Sequence, residues 1–158
     1  MTLFHLYIDD SGTRRPDRKV NPPRADGVDH FALGGILINE EDISKLLDAH
    51  SSLLERWGLD VPLHSTRIRG RRGNFAWLRE NEQTEAKFFG ACVIDRPGYR
   101  ARYSEKYPEP WLLCKTAFAI LVESSAKYAQ RRGGRLKIYF EEAGRAEDRA
   151  IESYVKSL

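Results

Sequence analysis

Apolar positions along the chain first predict two strands. Residues 3–8 and 30–39 are near-continuous apolar runs bounded by turn-forming residues, which is typical of buried strands. The stretch 13–29 between them is polar and rich in proline, so the runs are expected to pair as an antiparallel hairpin with a long loop. The pair Gly34-Gly35 inside the second run indicates a bulge or a close approach of two backbones.

Helical spacing dominates the rest of the chain. Apolar residues recur every three or four positions in four segments, 40–57, about 76–89, 111–131 and 146–158. Short strand patterns lie between them at 91–95 and 136–140, and Arg96-Pro97-Gly98 is predicted to form a turn. The order β, β, α, α, β, α, β, α predicts one α/β domain over residues 1–158. Its mixed sheet would begin with the hairpin and carry helices on its faces.

Composition narrows the class of protein without naming a partner. Of the 158 residues, 41% are hydrophobic and 31% charged, as in a globular domain, and the formal charge of +3 is too small to establish nucleic-acid binding by itself. Cys92 and Cys114 have no metal-ligand spacing and are predicted to be reduced, buried thiols. The N-terminus lacks a signal-peptide pattern, and no apolar stretch reaches membrane-spanning length. We therefore expect a cytoplasmic protein with no membrane contact.

Acidic residues follow three of the predicted strands. Asp9-Asp10 lie in an apparent Asp-Asp-Ser-Gly turn, Asp95 ends the third strand, and Glu141-Glu142 end the fourth. In open α/β sheets, ligand sites gather beyond the carboxyl ends of strands. Carboxylates brought together there repel one another, and a hard cation such as Mg²⁺ or Mn²⁺ relieves that repulsion. Two such ions about 4 Å apart could act on a phosphodiester. The alternative is that these residues only form turns.

Two further features could assist such chemistry. His64 is a candidate general acid or base or a metal ligand, although a histidine in a loop is often only a surface residue. The segment 67–73 carries four arginines with two glycines, which suits contact with phosphates, and the alternative is a solvated basic loop. These arginines are Arg67, Arg69, Arg71 and Arg72.

The order of four short motifs resembles a known family. The motifs are YIDDSG at 7–12, FALGGILI at 31–38, Leu63-His64 and CVID at 92–95, and together they resemble the family called domain of unknown function 3800. That resemblance implies a ribonuclease H-like fold and a metal-dependent nuclease activity. It implies a metal-binding role for Asp9, while Asp10 stands where the family usually has Glu. His64 matches the family's histidine, and either Glu141 or Glu142 matches an acidic residue that closes a later strand.

The family also tends to carry a Gln-x-x-Asp segment on a C-terminal helix, and this chain has none. Because the sequence ends within a helical pattern, two explanations stay open: a shortened form of the family, or a chain that lacks its C-terminal part. In either case a second copy of the chain or another partner could supply the missing elements.

These observations lead to one principal hypothesis and two alternatives. The principal hypothesis is a Mg²⁺- or Mn²⁺-dependent nuclease, with Asp9, Asp10 and Glu141 as metal ligands and Glu142 as the alternative to Glu141. His64 would assist proton transfer or position the phosphate, and the four arginines would hold the nucleic-acid backbone. The alternatives are a non-catalytic module of the same fold that binds nucleic acid or protein, and a phosphohydrolase for small molecules.

Overall fold

The computed structural model describes residues 1–15, 29–56, 58, 89–103, 105, 111–142 and 145–157. Within these residues the chain forms strands β1 (Leu3–Gly12), β2 (His30–Asn39), β3 (Phe89–Asp95) and β4 (Arg135–Phe140). It also forms helices α1 (Ile43–Arg56), α2 (Arg96–Tyr103), α3 (Trp111–Arg131) and α4 (Arg145–Lys156), with a 3₁₀ turn at Glu40–Asp42 ahead of α1.

The four strands form one mixed sheet in the order β3-β2-β1-β4. The pairs β1–β2 and β2–β3 are antiparallel, and β4 lies parallel to β1. The predicted α/β class, with an N-terminal hairpin and a mixed sheet, is therefore confirmed. The strands β1 and β4 are far apart in the sequence, and a helix precedes β4, as parallel pairing requires.

The first strand is longer than the sequence indicates. The segment from Asp9 to Gly12 was expected to be a turn, but it continues the ladder with β2 as far as the pair Gly12–Phe31. Turn-forming residues extend the strand here because β2 offers a hydrogen-bonding partner for their backbone, and pairing outweighs local preference. The strand ends at Gly12, whose φ of +93° and close approach to the His30 carbonyl oxygen require glycine.

The glycine pair of β2 is explained by a close approach and not by a bulge. The register between β1 and β2 is continuous through both glycines. A Cβ built on Gly35 would lie 3.0 Å from the Tyr7 carbonyl oxygen and 3.1 Å from Leu6 Cδ1, so Gly35 lets the sheet and the core pack closely. A Cβ built on Gly34 meets none of the described residues within 4 Å, because this residue faces the opposite side of the sheet.

The hydrophobic core lies between one face of the sheet and α3. Alternate residues of β1 and β2 point into it, and α3 adds a stripe of residues three or four positions apart. The fully or nearly fully buried members are Leu6, Ile8, Phe31, Leu33, Leu37, Leu113, Ala117, Phe118, Leu121 and Ala129. The buried hydroxyl of Ser125 in the same stripe donates to the Leu121 carbonyl at 2.9 Å. The described helices are too short or too polar to traverse a lipid bilayer.

The end of α3 follows its sequence signal. The Gly134 amide donates to the Ala129 carbonyl and the Gly133 amide to the Gln130 carbonyl, at 3.0 and 2.9 Å. Gly133 adopts a φ of +62°, so this is the glycine-dependent ending of a helix that the pair was predicted to provide.

The residues after β3 form a helix where a turn was predicted. Asp95 accepts a hydrogen bond from the Gly98 amide at 2.7 Å, and Arg96 and Pro97 then occupy the first two positions of α2. Proline suits the start of a helix because the first amides have no partner within it. The predicted helix 76–89 also needs correction at its end, since Phe89 begins β3, and residues 76–88 lie outside the described part of the chain.

Both cysteines are free thiols, as predicted, but the prediction that both are buried is wrong for Cys92. Cys114 is buried in the core, and Cys92 is partly exposed and packs against it. Burial raises the pKa of the Cys92 thiol above its usual value.

Candidate metal centre

Two acidic residues meet where the parallel strands β1 and β4 end. The register pairs Ile8 with Phe140, so Asp9 and Glu141, which follow them, lie side by side at the carboxyl ends of these two strands. The Glu141 amide donates to the Ile8 carbonyl at 3.2 Å and carries the parallel ladder one residue further. Sheet pairing thus places two carboxylates together that are far apart in the sequence.

Asp10 completes a cluster of three carboxylates. One oxygen each from Asp9, Asp10 and Glu141 lies within 4.8 Å of the other two. Asp9 and Glu141 are exposed and Asp10 is partly buried, so the cluster opens to solvent on one side. The predicted convergence of acidic strand ends is confirmed for these three residues. Of the two alternative residues at the end of β4, Glu141 belongs to the cluster and Glu142 lies outside it.

The Asp9 carboxylate is oriented by its own backbone. Its Oδ1 accepts a hydrogen bond from the Asp10 amide at 2.6 Å. A short bond between neighbouring residues limits rotation of the side chain and keeps the carboxylate at the edge of the sheet. The other oxygen of Asp9 has further lone pairs for a ligand.

The Asp10 carboxylate is held by Arg14. The guanidinium donates from Nε to Oδ2 at 3.1 Å and from Nη2 to Oδ1 at 2.8 Å, a bidentate contact. The same guanidinium carbon lies 5.3 Å from the ring centre of Phe140. The sequence reasoning missed this ion pair, because spacing of four residues predicts contact in a helix and these residues lie in a strand and its extension.

Asp95 does not belong to the cluster. It ends β3 at the same edge of the sheet, but β2 separates β3 from β1. Its carboxylate caps α2 through the Gly98 amide, and this contact accounts for an acidic residue at that position. The expectation that all three acidic strand ends share one crevice is therefore wrong for Asp95.

Arg96 and Arg100 lie where the connection between β1 and β2 begins and ends, at residues 15 and 29. Arg96 is fully buried; its guanidinium pairs with the Asp29 carboxylate and donates to the Arg15 carbonyl at 2.6 and 3.1 Å. Arg100 also contacts Asp29, at 3.2 Å. Because residue 15 is held in this way, the neighbouring Arg14 is kept beside Asp10. Nothing in the local pattern around Arg96 predicts this role.

Several predicted site residues cannot be placed. His64 and the arginines Arg67, Arg69, Arg71 and Arg72 lie outside the described part of the chain. Their expected roles in proton transfer and phosphate contact stay predictions.

The sheet face opposite the core carries a row of rings that ends at the carboxylates. The rings of Tyr7 and Tyr139 stack with centres 4.7 Å apart and an angle of 10°, and His5 stacks on Tyr139 at 5.5 Å. Burial, and then the neighbouring Tyr139, raise the pKa of Tyr7 above its usual value. Beside Tyr7, a groove of about 670 Å³ runs over β1, β2 and β3, and Asp9 and Asp10 are among the β1 residues that line it.

Comparison with known proteins gives a relative but no activity. The chain is 40% identical to the uncharacterized protein y4pM of Sinorhizobium fredii over 169 aligned residues. The match covers 96% of this chain and 61% of the relative, so the chain spans about three fifths of that protein's length. No protein-family model matches the chain. No solved structure matches it either. The resemblance to domain of unknown function 3800 therefore stays a hypothesis.

Proposed function

We propose that the protein is a metal-dependent nuclease whose cation binds at the cluster of Asp9, Asp10 and Glu141. The observation that carries the proposal is the convergence of three carboxylate oxygens within 4.8 Å at the carboxyl ends of two adjacent parallel strands.

The donor set fits a hard divalent cation. Carboxylate oxygens are the ligands that Mg²⁺ and Mn²⁺ prefer. Opposite ligands of an octahedral Mg²⁺ lie about 4.2 Å apart, twice the usual metal–oxygen distance of about 2.1 Å. The three oxygens lie within 4.8 Å of one another, so one cation could reach all three after small side-chain rotations.

The charge of the cluster favours one cation. The charges of the three carboxylates and of the Arg14 guanidinium sum to two negative charges, which one divalent ion would offset. Arg14 occupies two lone-pair sites of Asp10, but an ionised carboxylate has about four. Asp10 can therefore bind Arg14 and a cation together. The second ion considered from the sequence would need ligands beyond these three.

Each residue has a distinct role in this proposal. Asp9, Asp10 and Glu141 would hold the cation, and Arg14 keeps the Asp10 carboxylate in place. A bound divalent cation would polarise a phosphodiester and activate a water for attack on it. His64 would assist proton transfer, and the four arginines between 67 and 72 would hold the nucleic-acid backbone.

The fold supports the same proposal. A ribonuclease H-like domain was expected to combine an N-terminal hairpin, a mixed sheet and packed helices, and the described part of the chain has these features. The acidic cluster lies at the end of the first strand, where the resemblance to domain of unknown function 3800 places a metal ligand.

The decisive experiment compares the chain with its Asp9→Asn variant on labelled single-stranded and duplex DNA and RNA. We expect cleavage with Mg²⁺ or Mn²⁺, no cleavage with EDTA, and at least a hundredfold loss of rate in the variant. Glu142→Gln is the matched control, because it removes a neighbouring carboxylate that lies outside the cluster. Equal cleavage by the chain and the Asp9→Asn variant would refute the proposal.

One observation favours a second candidate, a non-catalytic module of the same fold. The bidentate pair between Arg14 and Asp10 is a sound structural ion pair without any metal. If the only role of Asp10 is this ion pair with Arg14, calorimetry will detect no binding of Mn²⁺ at millimolar concentration. Saturable binding of one Mn²⁺ that is lost in the Asp9→Asn variant would exclude this candidate.

A further inference from the structure

We propose that the groove beside Tyr7 binds a base of single-stranded nucleic acid and so places the adjoining phosphate at the carboxylate cluster. This inference rests on the proposed nuclease function, because it names the substrate that the same site would take. It concerns the face of the sheet opposite the core, where β1, β2 and β3 form the floor of the groove.

Three chemically different zones follow one another along this face. On the paired strands β1 and β4, Lys137 comes first, then the ring pair Tyr7–Tyr139, then Asp9 with Glu141. Neighbouring zones are two residues apart, which is about 7 Å along a strand. Lys137 and the carboxylate cluster are therefore about 14 Å apart. This distance is too long for the two phosphates that flank one nucleotide, so the two zones match phosphates of different nucleotides on either side of a base bound at Tyr7.

The aromatic zone is built to receive a flat ring. Tyr7 is 39% exposed, and the groove lies on its side toward β2, away from Tyr139. Stacking on Tyr139 at 4.7 Å holds the Tyr7 ring upright from the sheet. An exposed tyrosine held in this way offers stacking to any base, because every base has an aromatic face.

The floor of the groove is open at the position facing Asp9. Gly34 is the register partner of Asp9 and Ala91 is the partner of Gly34, so small residues lie level with the cluster. Within the described part of the chain, a Cβ built on Gly34 meets nothing within 4 Å, although its neighbour Gly35 is tightly packed. The volume of about 670 Å³ is in the usual range for ligand sites.

The basic zone suits a phosphate. Lys137 is exposed, and its ammonium lies 5.0 Å from the Tyr139 ring centre, so a positive charge lies on the solvent-facing side of the ring pair. A duplex hides the faces of its bases by stacking and pairing, whereas a single strand can turn a base outward onto the tyrosine. The chemistry of this face therefore favours single strands.

The test fills the groove without touching the cluster. Gly34→Val adds a side chain into open space at a strand position where β-branched residues are well accepted, so the variant should fold normally. Binding of labelled oligothymidylate and oligouridylate is measured by fluorescence anisotropy in EDTA, where metal-dependent cleavage cannot contribute. We expect a rise in Kd of about tenfold for this variant and for Tyr7→Leu, the loss typical of one base stack.

Matched controls separate the outcomes. Ser52→Val adds the same kind of side chain to an exposed position of α1 and should leave Kd unchanged. Equal binding of a duplex, unaltered binding by both groove variants, or displacement by thymidine monophosphate at the same concentration as the oligonucleotide would overturn the inference. Circular dichroism shows whether each variant is folded. If Gly34→Val does not fold, Tyr7→Leu still tests the groove.

The two proposals fail in different ways. If the groove variants weaken binding in EDTA but Asp9→Asn cleaves like the unaltered chain, the groove is supported and the metal centre is refuted. If cleavage depends on Asp9 but neither groove variant alters single-strand binding, the metal centre stands and the groove assignment is wrong.

Discussion

The most informative single substitution is Asp9→Asn, because the structure predicts that its effect on stability changes sign when metal is added. Asparagine keeps the Oδ1 that accepts the Asp10 amide, so the local backbone contact is preserved. The substitution removes only the negative charge and one ligand oxygen. Any change in stability then reports on the electrostatics of the cluster.

The magnitude without metal follows from the distances. Two unit charges 4.8 Å apart, the limit within which the oxygens of the cluster lie, repel by about 0.9 kcal/mol at the dielectric constant of water. Asp10 is paired with Arg14, and Glu141 is the second carboxylate beside Asp9. In EDTA the variant should therefore gain about 1 kcal/mol, which raises Tm by about 2–4 °C for a chain of this length.

The effect with metal has the opposite sign. A ligand present at about 100 times its Kd stabilises the folded state by about 2.7 kcal/mol, which corresponds to a rise of about 5–11 °C in Tm. The unaltered chain should show this rise on addition of Mn²⁺. The Asp9→Asn variant should show almost none of it, so it becomes the less stable of the two proteins.

Thermal unfolding followed by circular dichroism at low ionic strength is the suitable assay, because salt screens exposed charges. Glu142→Gln serves as the control for loss of one negative charge at the same end of β4, and it should leave the metal-induced rise intact. An equal rise with Mn²⁺ in the chain and in Asp9→Asn would refute the metal centre. A loss of stability of the variant in EDTA would refute the electrostatic reasoning.

Three further predictions test the surroundings of the site. Arg96→Met should lower the free energy of unfolding by about 3 kcal/mol, because it removes a buried guanidinium from its carboxylate partner. Urea unfolding measures this loss. The control is Arg100→Met, which alters a side chain that is 32% exposed, and an equal loss in this variant would contradict the prediction. Gly12→Ala should lower the free energy of unfolding by more than about 1 kcal/mol, because φ is +93° and the new Cβ would collide with the His30 carbonyl oxygen. An unchanged midpoint of urea unfolding would contradict this prediction. Tyr7 has a raised pKa, so its contribution to stability is complete below pH 10 and is lost as the pH rises through the folded-state pKa. The stability of the Tyr7→Phe variant should therefore fall less steeply at alkaline pH than that of the unaltered chain. Parallel curves of stability against pH for the two proteins would contradict the raised pKa.

Most elements of the fold could be predicted from apolar periodicity. The bounds of α3 and β2 agree with the predicted segments, because each buries one stripe or run of side chains whose spacing is a local property. Where local preference and pairing disagreed, the prediction failed. Asp9 to Gly12 look like a turn in isolation, but β2 supplies the hydrogen bonds that keep them in the strand.

The misjudged turn after β3 has a related cause. Proline and glycine after an acidic residue are typical of both a turn and the first turn of a helix. The difference lies in the residues that follow, where Tyr99 packs into the core and extends the helix. Asp95 then becomes a helix cap, and its acidity alone could not distinguish that role from a ligand.

The sequence by itself determined which residue types could form a site: carboxylates at the ends of β1 and β4, after strands long enough to be buried. Only the tertiary structure decided which of them meet. The parallel register of β1 and β4 brings Asp9 beside Glu141, and it leaves Glu142 and Asp95 outside the cluster. The same long-range packing brings Arg96 to Asp29 and opens the groove beside Tyr7. These meetings arise from contacts between segments far apart in the sequence, and the spacing of residues within one segment does not specify which segments will be neighbours.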